Sequence, residues 1–183
     1  MLEVHELGLG VYEIIPARYG DDRGYFTETY NKLKLETHGI SMEYVQDNQS
    51  FSARKGVLRG LHYQLSPYTQ DKLVRVLQGR IYDVAVDIRR DSSTFGKWVA
   101  LELTAELGNQ ILVPKGFAHG FVTLEEHTIV AYKVSDYYSQ ECDRNIRYDD
   151  PQLAIEWPVL DVDYQLSDKD LAAPFLNSAK IFE

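Results

Sequence analysis

Between residues 57 and 134 the chain repeats one pattern: a short run rich in β-branched and aromatic residues, a break at Gly, Pro, Asn or Ser, then another run. The runs are Val57–Gln64, Lys72–Leu77, Ile81–Ile88, Lys97–Thr104, Asn109–Val113, Gly116–Leu124 and Thr128–Val134. Side chains alternate across a strand, so Tyr82, Val84, Val86 and Ile88 share one face while Ile81, Asp83, Ala85 and Asp87 share the other. Runs this closely spaced leave little room for crossover helices, and the rhythm favours an antiparallel sandwich or barrel over β-α-β units. Lys72–Leu77 and Ile81–Ile88, joined by Gln78-Gly79-Arg80, read as a β-hairpin. Helix signals are few. Tyr30–His38 ends at Gly39, and a short helix near residues 168–173 has Ser167 as N-cap, Asp170 three residues on and Pro174 to close it. The expected architecture is all-β, two antiparallel sheets with a few short peripheral helices.

A chain of 183 residues fits one domain, taken here as residues 1–183. At 44% apolar and 26% charged residues it reads as globular, with a core large enough to dispense with disulfides. The single cysteine, Cys142, cannot form an internal disulfide and rules out a structural zinc cluster. The longest uncharged stretch, Gly60 to Gln70, is polar and broken by Pro67, so no membrane span is expected. Met1-Leu2-Glu3-Val4-His5 lacks the basic-then-apolar order of a signal peptide, and the expected setting is the cytoplasm. A net charge of −9 gives no general attraction to nucleic acid or to an anionic membrane, so neither is an expected partner. An anionic ligand must be held by a few local Arg and Lys residues.

Two of the five histidines sit in strand contexts beside glycine. His62 lies in Gly56-Val57-Leu58-Arg59-Gly60-Leu61-His62-Tyr63-Gln64 and His119 in Pro114-Lys115-Gly116-Phe117-Ala118-His119-Gly120-Phe121. The second segment resembles half of the metal-site pattern of the cupin jelly-roll superfamily. A metal-binding cupin carries His-x-His, whereas here Gln64 holds the second histidine's place. His62 and His119 alone supply fewer than the usual three protein donors, so no metal is expected.

The ordered set of segments resembles the dTDP-4-dehydrorhamnose 3,5-epimerase family. The matching blocks are Asp22-Arg23-Gly24-Tyr25-Phe26 with Glu28, Val45-Gln46-Asp47-Asn48, Gly56 to Gln64, Lys72-Leu73-Val74-Arg75-Val76 and Asp83-Val84-Ala85-Val86-Asp87. Pro114 to Phe121, Tyr132-Lys133, Asp149-Asp150-Pro151, Glu156-Trp157-Pro158 and Leu166-Ser167-Asp168-Lys169-Asp170 complete it. The resemblance implies a metal-free, cofactor-free cupin jelly roll that inverts C3 and C5 of a dTDP-linked 4-keto-6-deoxyhexose, and a homodimer. By that resemblance His62 is the base and Asp170 its carboxylate partner. Lys72 stabilises the O4 oxyanion, and Tyr132 is the acid on the opposite face. Arg23, Glu28, Gln46, Asp47, Asn48, Arg59, His119, Asp143 and Lys169 are implied substrate contacts. In the family the N-terminal region crosses to a second subunit, so Arg23 and Glu28 are expected to serve the partner's site.

Each assignment has a plain structural alternative. Asp170 can be the acidic member of a capping box with Ser167, Tyr132 a half-buried strand residue, Lys72 a solvated edge lysine, and Arg23 part of a turn. Singly those readings win; together, in family order, they do not. Three departures from the family pattern stand out: Asp71 in place of glycine, Asp143 in place of a sugar-contacting glutamate, and Gln140 in place of proline. One geometric requirement also follows. Arg59 and His62 are three residues apart and point to opposite faces of a regular strand, so a shared substrate demands a bend or bulge near Gly60. Competing functions are a single C3 or C5 epimerase, a non-catalytic sugar-nucleotide-binding cupin and a metal-dependent oxygenase.

Overall fold

A computed structural model describes residues 1–182. The strands are β1 (Glu3–Gly8), β2 (Val11–Ile15), β3 (Arg18–Asp21), β4 (Gly24–Thr27), β5 (Gln46–Ser52), β6 (Leu58–Gln64) and β7 (Lys72–Gln78). They continue as β8 (Arg80–Asp87), β9 (Trp98–Thr104), β10 (Gln110–Val113), β11 (Phe117–Thr123), β12 (Thr128–Val134) and β13 (Asp143–Asn145). Helix α1 (Lys32–Glu36) follows β4 and α2 (Asp168–Leu171) follows β13. The six-stranded sheet runs β1-β2-β10-β7-β12-β5, the five-stranded sheet β13-β6-β11-β8-β9, and β3-β4 stands as a separate hairpin. The jelly-roll expectation is met.

Alternation along the strands builds the core. Val74, Val76, Ile111, Val113 and Val130 from the first sheet face Ile81, Ala85, Leu103, Phe117 and Phe121 from the second. The five-stranded sheet is covered on its other face too, where Leu61, Tyr63, Val84, Val86, Ile88 and Ala118 pack under Ile146, Leu153, Leu176 and Ile181. Burial on both faces explains why β8 and β11 read as nearly continuous apolar runs. A smaller cluster of Ile14, Leu35, Ile40, Leu73 and Leu112 seats α1 on the outer face of the six-stranded sheet. That helix is shorter than Tyr30–His38 because Asn31 caps it, its side chain accepting from the Lys34 amide.

The predicted hairpin of Lys72–Leu77 with Ile81–Ile88 is corrected. β7 pairs with β10 and β12, while β8 pairs with β9 and β11, so Gln78-Gly79-Arg80 carries the chain from one sheet to the other. Gly79 has φ 80, and a Cβ on it would lie 2.5 Å from Thr128 Oγ1. A tight glycine connection looks the same in sequence whether it folds a strand back beside its neighbour or across the core. Crossing lets the inward faces of both strands contribute to one core instead of one side of one sheet.

The bulge expected at Gly60 is present. On β11 the partners of His62 and Arg59 are His119 and Phe121, so three steps on β6 oppose two on β11. His119 and Phe121 share the inward face, and the extra residue therefore brings Arg59 and His62 to that face together. Gly60 has φ 127, and a Cβ there would lie 2.6 Å from Gly120 Cα and 2.9 Å from the His119 carbonyl oxygen. Gly60→Ala is expected to lower stability by about 2–4 kcal/mol through combined backbone strain and overpacking. Urea denaturation checks this, and a loss under about 0.5 kcal/mol, the range of neutral surface changes, contradicts it.

Candidate active site

The inward faces of the two sheets converge on a set of polar side chains. His62 sits near the end of β6, beside His119 on β11. Its Nε2 lies 2.5 Å from Asp170 Oδ1, a residue brought from 108 positions away by α2. With Asp170 ionised, Nε2 carries the hydrogen it donates and Nδ1 keeps its lone pair, as a proton acceptor requires. Asp170 is almost wholly buried. Burial raises its carboxyl, but hydrogen bonds from His62 and Ser167 outweigh that, and the net shift is downward. Ser167 does cap α2, accepting from the Asp170 amide at 3.2 Å while its hydroxyl meets Asp170 Oδ2 at 2.9 Å. Asp170 thus meets His62 and the Ser167 cap at once, one carboxylate oxygen for each.

Lys72 opens β7 on the same inward face as Val74 and Val76. Its Nζ donates to the His62 carbonyl oxygen at 3.3 Å. Burial pushes the Lys72 ammonium down to about 8, while Asp83 and Asp143 pull the other way. Tyr132, on β12, packs against the central core from the opposite sheet. Burial raises its phenol, the Arg59 guanidinium opposes that and Asp143 adds to it, so the phenol holds its proton at neutral pH. Arg59 donates through Nη2 to the Phe51 carbonyl at 3.2 Å, while its Nε is buried without a partner among the described residues. Ser50 Oγ, on β5, is likewise buried and unpartnered. Two such atoms on the inward side suit a polar ligand.

The remaining expected contacts divide. Gln46 and Asn48 share the inward face of β5 and are joined, Nε2 to Oδ1, at 2.8 Å. Asp143 pairs in register with Gln64 at the mouth, and Lys169 reaches it from α2. Asp47 departs from the set. It lies between Gln46 and Asn48 on a strand, so alternation turns it to the outer face, where it bridges Lys133 at 2.9 Å. Arg23 sits on the β3-β4 hairpin, 89% exposed and paired with Asp21, and Glu28 pairs with Lys34 beside an outer hollow of about 570 Å³ that includes Ile14, Leu35 and Leu73. Within one chain neither joins the His62 set.

Gln64, in the seat of a metal-binding cupin's second histidine, is fully committed. Its Nε2 donates to the carbonyls of Tyr68 and Tyr137, and its Oε1 accepts from the Ser139 amide. Among the described residues no group of three or more His, Cys, Asp and Glu is arranged to hold a metal ion.

Two residues of this polar set, Asp83 and Tyr138, escaped the sequence reading. Asp83 is fully buried, and both of its carboxylate oxygens lie 2.9 Å from His119 Nε2. The signal was present as a charged residue between Ile81 and Ala85 on a face now seen to be apolar core. Tyr138, which meets Asp143 Oδ2 at 3.3 Å, had no sequence signal of its own.

A charged Lys72 is the form that can hold an oxyanion, so kcat/KM is expected to fall as pH rises through about 8. Lys72→Arg keeps its charge and should lose that alkaline limb, at reduced kcat. An unchanged limb in Lys72→Arg assigns it to another group.

A family profile described as dTDP-4-dehydrorhamnose 3,5-epimerase matches residues 8–178. The Shigella flexneri dTDP-4-dehydrorhamnose 3,5-epimerase is 51% identical over 157 residues, 85% of each chain. The crystal structure of dTDP-4-dehydrorhamnose 3,5-epimerase from Bacillus anthracis str. Ames with TDP and PPi bound is 50% identical, with TM-score 0.91 over 96% of this chain and 99% of that one. The Legionella pneumophila dTDP-6-deoxy-D-glucose-3,5-epimerase in complex with dTDP-4-keto-L-rhamnose is 49% identical, with TM-score 0.92 over 97% and 94%. Among the described residues no helix is long and apolar enough to cross a membrane. Sequence, fold and the polar set between the sheets agree: this chain belongs to the dTDP-4-dehydrorhamnose 3,5-epimerase family.

Proposed function

We propose that the chain converts dTDP-4-dehydro-6-deoxy-D-glucose to dTDP-4-dehydro-L-rhamnose by inverting C3 and C5, with His62 as base and Tyr132 as acid. A hydrogen on a carbon beside the C4 ketone is acidic because its loss leaves an enolate. His62 takes that proton, Asp170 stabilises the resulting imidazolium, and the Lys72 ammonium offsets charge at O4. Tyr132 then gives a proton to the same carbon from the other face. The imidazolium loses its proton to solvent and the phenolate regains one, which resets both groups for the second centre. Bonds and charges balance without any redox step. The observation that carries this reading is the contact of His62 with buried Asp170 on one sheet while a protonated Tyr132 faces inward from the other.

Proton NMR in deuterated water with the dTDP-4-keto-6-deoxy sugar tests it. Solvent deuterium is expected at C3 and C5, and His62→Ala should slow exchange at both by about 10²–10⁴-fold. Label at one carbon alone makes the enzyme a single epimerase, and none at either removes the reading.

We also propose a homodimer, in the cytoplasm, in which Arg23 and Glu28 complete the partner's site. The β3-β4 hairpin supports this, because it pairs with neither large sheet and exposes Tyr19, Tyr25 and Phe26 around Arg23. The lone Cys142 suits a reducing compartment. Mixing inactive Arg23→Ala and His62→Ala chains under conditions of subunit exchange should restore about a quarter of wild-type activity, since half the dimers then hold one intact site. No restoration means that Arg23 serves its own chain.

A further inference from the structure

At the mouth of the site two candidate substrate contacts hold each other. Lys169 Nζ lies 2.5 Å from Asp143 Oδ2, and Tyr138 OH meets the same oxygen at 3.3 Å. The three residues come from α2, the start of β13 and the loop between β12 and β13. Their backbones are fixed independently of the pair. Asn145 Nδ2 donates to the Lys169 carbonyl at 2.9 Å, Gln46 Oε1 accepts from the Tyr138 amide at 3.1 Å, and Asp143 pairs with Gln64 on β6. The long Lys169 side chain, half exposed, can therefore leave without moving α2 or the neighbouring Asp170. The Asp143 side chain is only 17% exposed; its register opposite Gln64, two residues beyond His62 on β6, puts it on the His62 face, and its charge raises both the Lys72 ammonium and the Tyr132 phenol.

A carboxylate satisfied by an ammonium is a poor acceptor for sugar hydroxyls, and an ammonium held by a carboxylate is a poor ligand for a diphosphate. We propose that Lys169 and Asp143 form an exchange latch: the diphosphate of a nucleotide sugar takes the Lys169 ammonium, and the carboxylate so released accepts hydroxyl hydrogens of the sugar. The inference rests on the epimerase reading and adds a selection rule to it. A sugar lacking the diphosphate has no means of freeing Asp143, so the anionic half of the substrate prepares the site for the half that reacts. Tyr138 keeps one donor on Oδ2 through the exchange.

Calorimetric binding of dTDP alone, which has no sugar to contact Asp143, reads the latch directly. Asp143→Asn releases Lys169 and is expected to tighten dTDP by about two- to fivefold, the range for a partly exposed ion pair. The same substitution in a Lys169→Gln background should give no gain. In turnover Asp143→Asn should lower kcat, opposite in direction to its effect on dTDP. An equal gain in both backgrounds reflects general charge and overturns the latch, as does weaker or unchanged dTDP binding in Asp143→Asn. Asp143→Ser carries the same test if the Asn variant does not fold. A wild-type chain that exchanges no substrate hydrogen and binds no dTDP overturns the epimerase reading and the latch together, whereas normal exchange with a failed cycle overturns the latch alone.

Discussion

The site depends on how closely β6 and β11 approach at Gly60 and Gly120. A Cβ on Gly60 would strike Gly120 Cα, and a Cβ on Gly120 would lie 2.8 Å from the Arg59 carbonyl oxygen. Only two facing glycines allow backbones this near, and the nearness absorbs the extra β6 residue within the ladder. Without that residue, either the guanidinium of Arg59 or the imidazole of His62 faces the outer layer beside Leu61 and Tyr63. Arg59 and His62 then cannot meet one ligand. Two positions with no side chain decide where Arg59 and His62 point.

Around that point the protein arranges charge in pairs that leave one member free for chemistry. His62 leans on Asp170, and His119 on Asp83. Both carboxylates are buried, but only the His62 imidazole is partly exposed; His119 is buried with its partner. Among the described residues Lys72 has no carboxylate within bonding distance; its hydrogen bond goes to a carbonyl, and its charge is supported at longer range by Asp83 and Asp143. An ammonium so weakly compensated has more to gain from an oxyanion than one already neutralised by a close partner.

Much of this was legible in the chain. Strand rhythm gave the all-β architecture, and the odd spacing of Arg59 and His62 beside Gly60 demanded the bulge that is there. The weighed alternatives for Asp170 were legible too, although nothing in a sequence says that one carboxylate can satisfy both. What failed was partnering at a distance. Gln78-Gly79-Arg80 has the chemistry of a hairpin, and only the shared core of Val74, Val76, Ile81 and Ala85 explains why it crosses instead. Asp47 fell to simple alternation, since a run of adjacent polar residues on a strand cannot all face one ligand. Arg23 and Glu28 lie where one chain cannot bring them to His62.

The carboxylate that pairs with His62 travels on a four-residue helix outside both sheets. That stretch is pinned by Gln165 to Gly56 and Leu58, and by Arg147 to Leu171 and Pro174. The barrel can thus be whole while the imidazole still lacks its counterion. The His62–Asp170 contact depends on docking of residues 165–174, so a local detachment too small to register as unfolding is enough to break it.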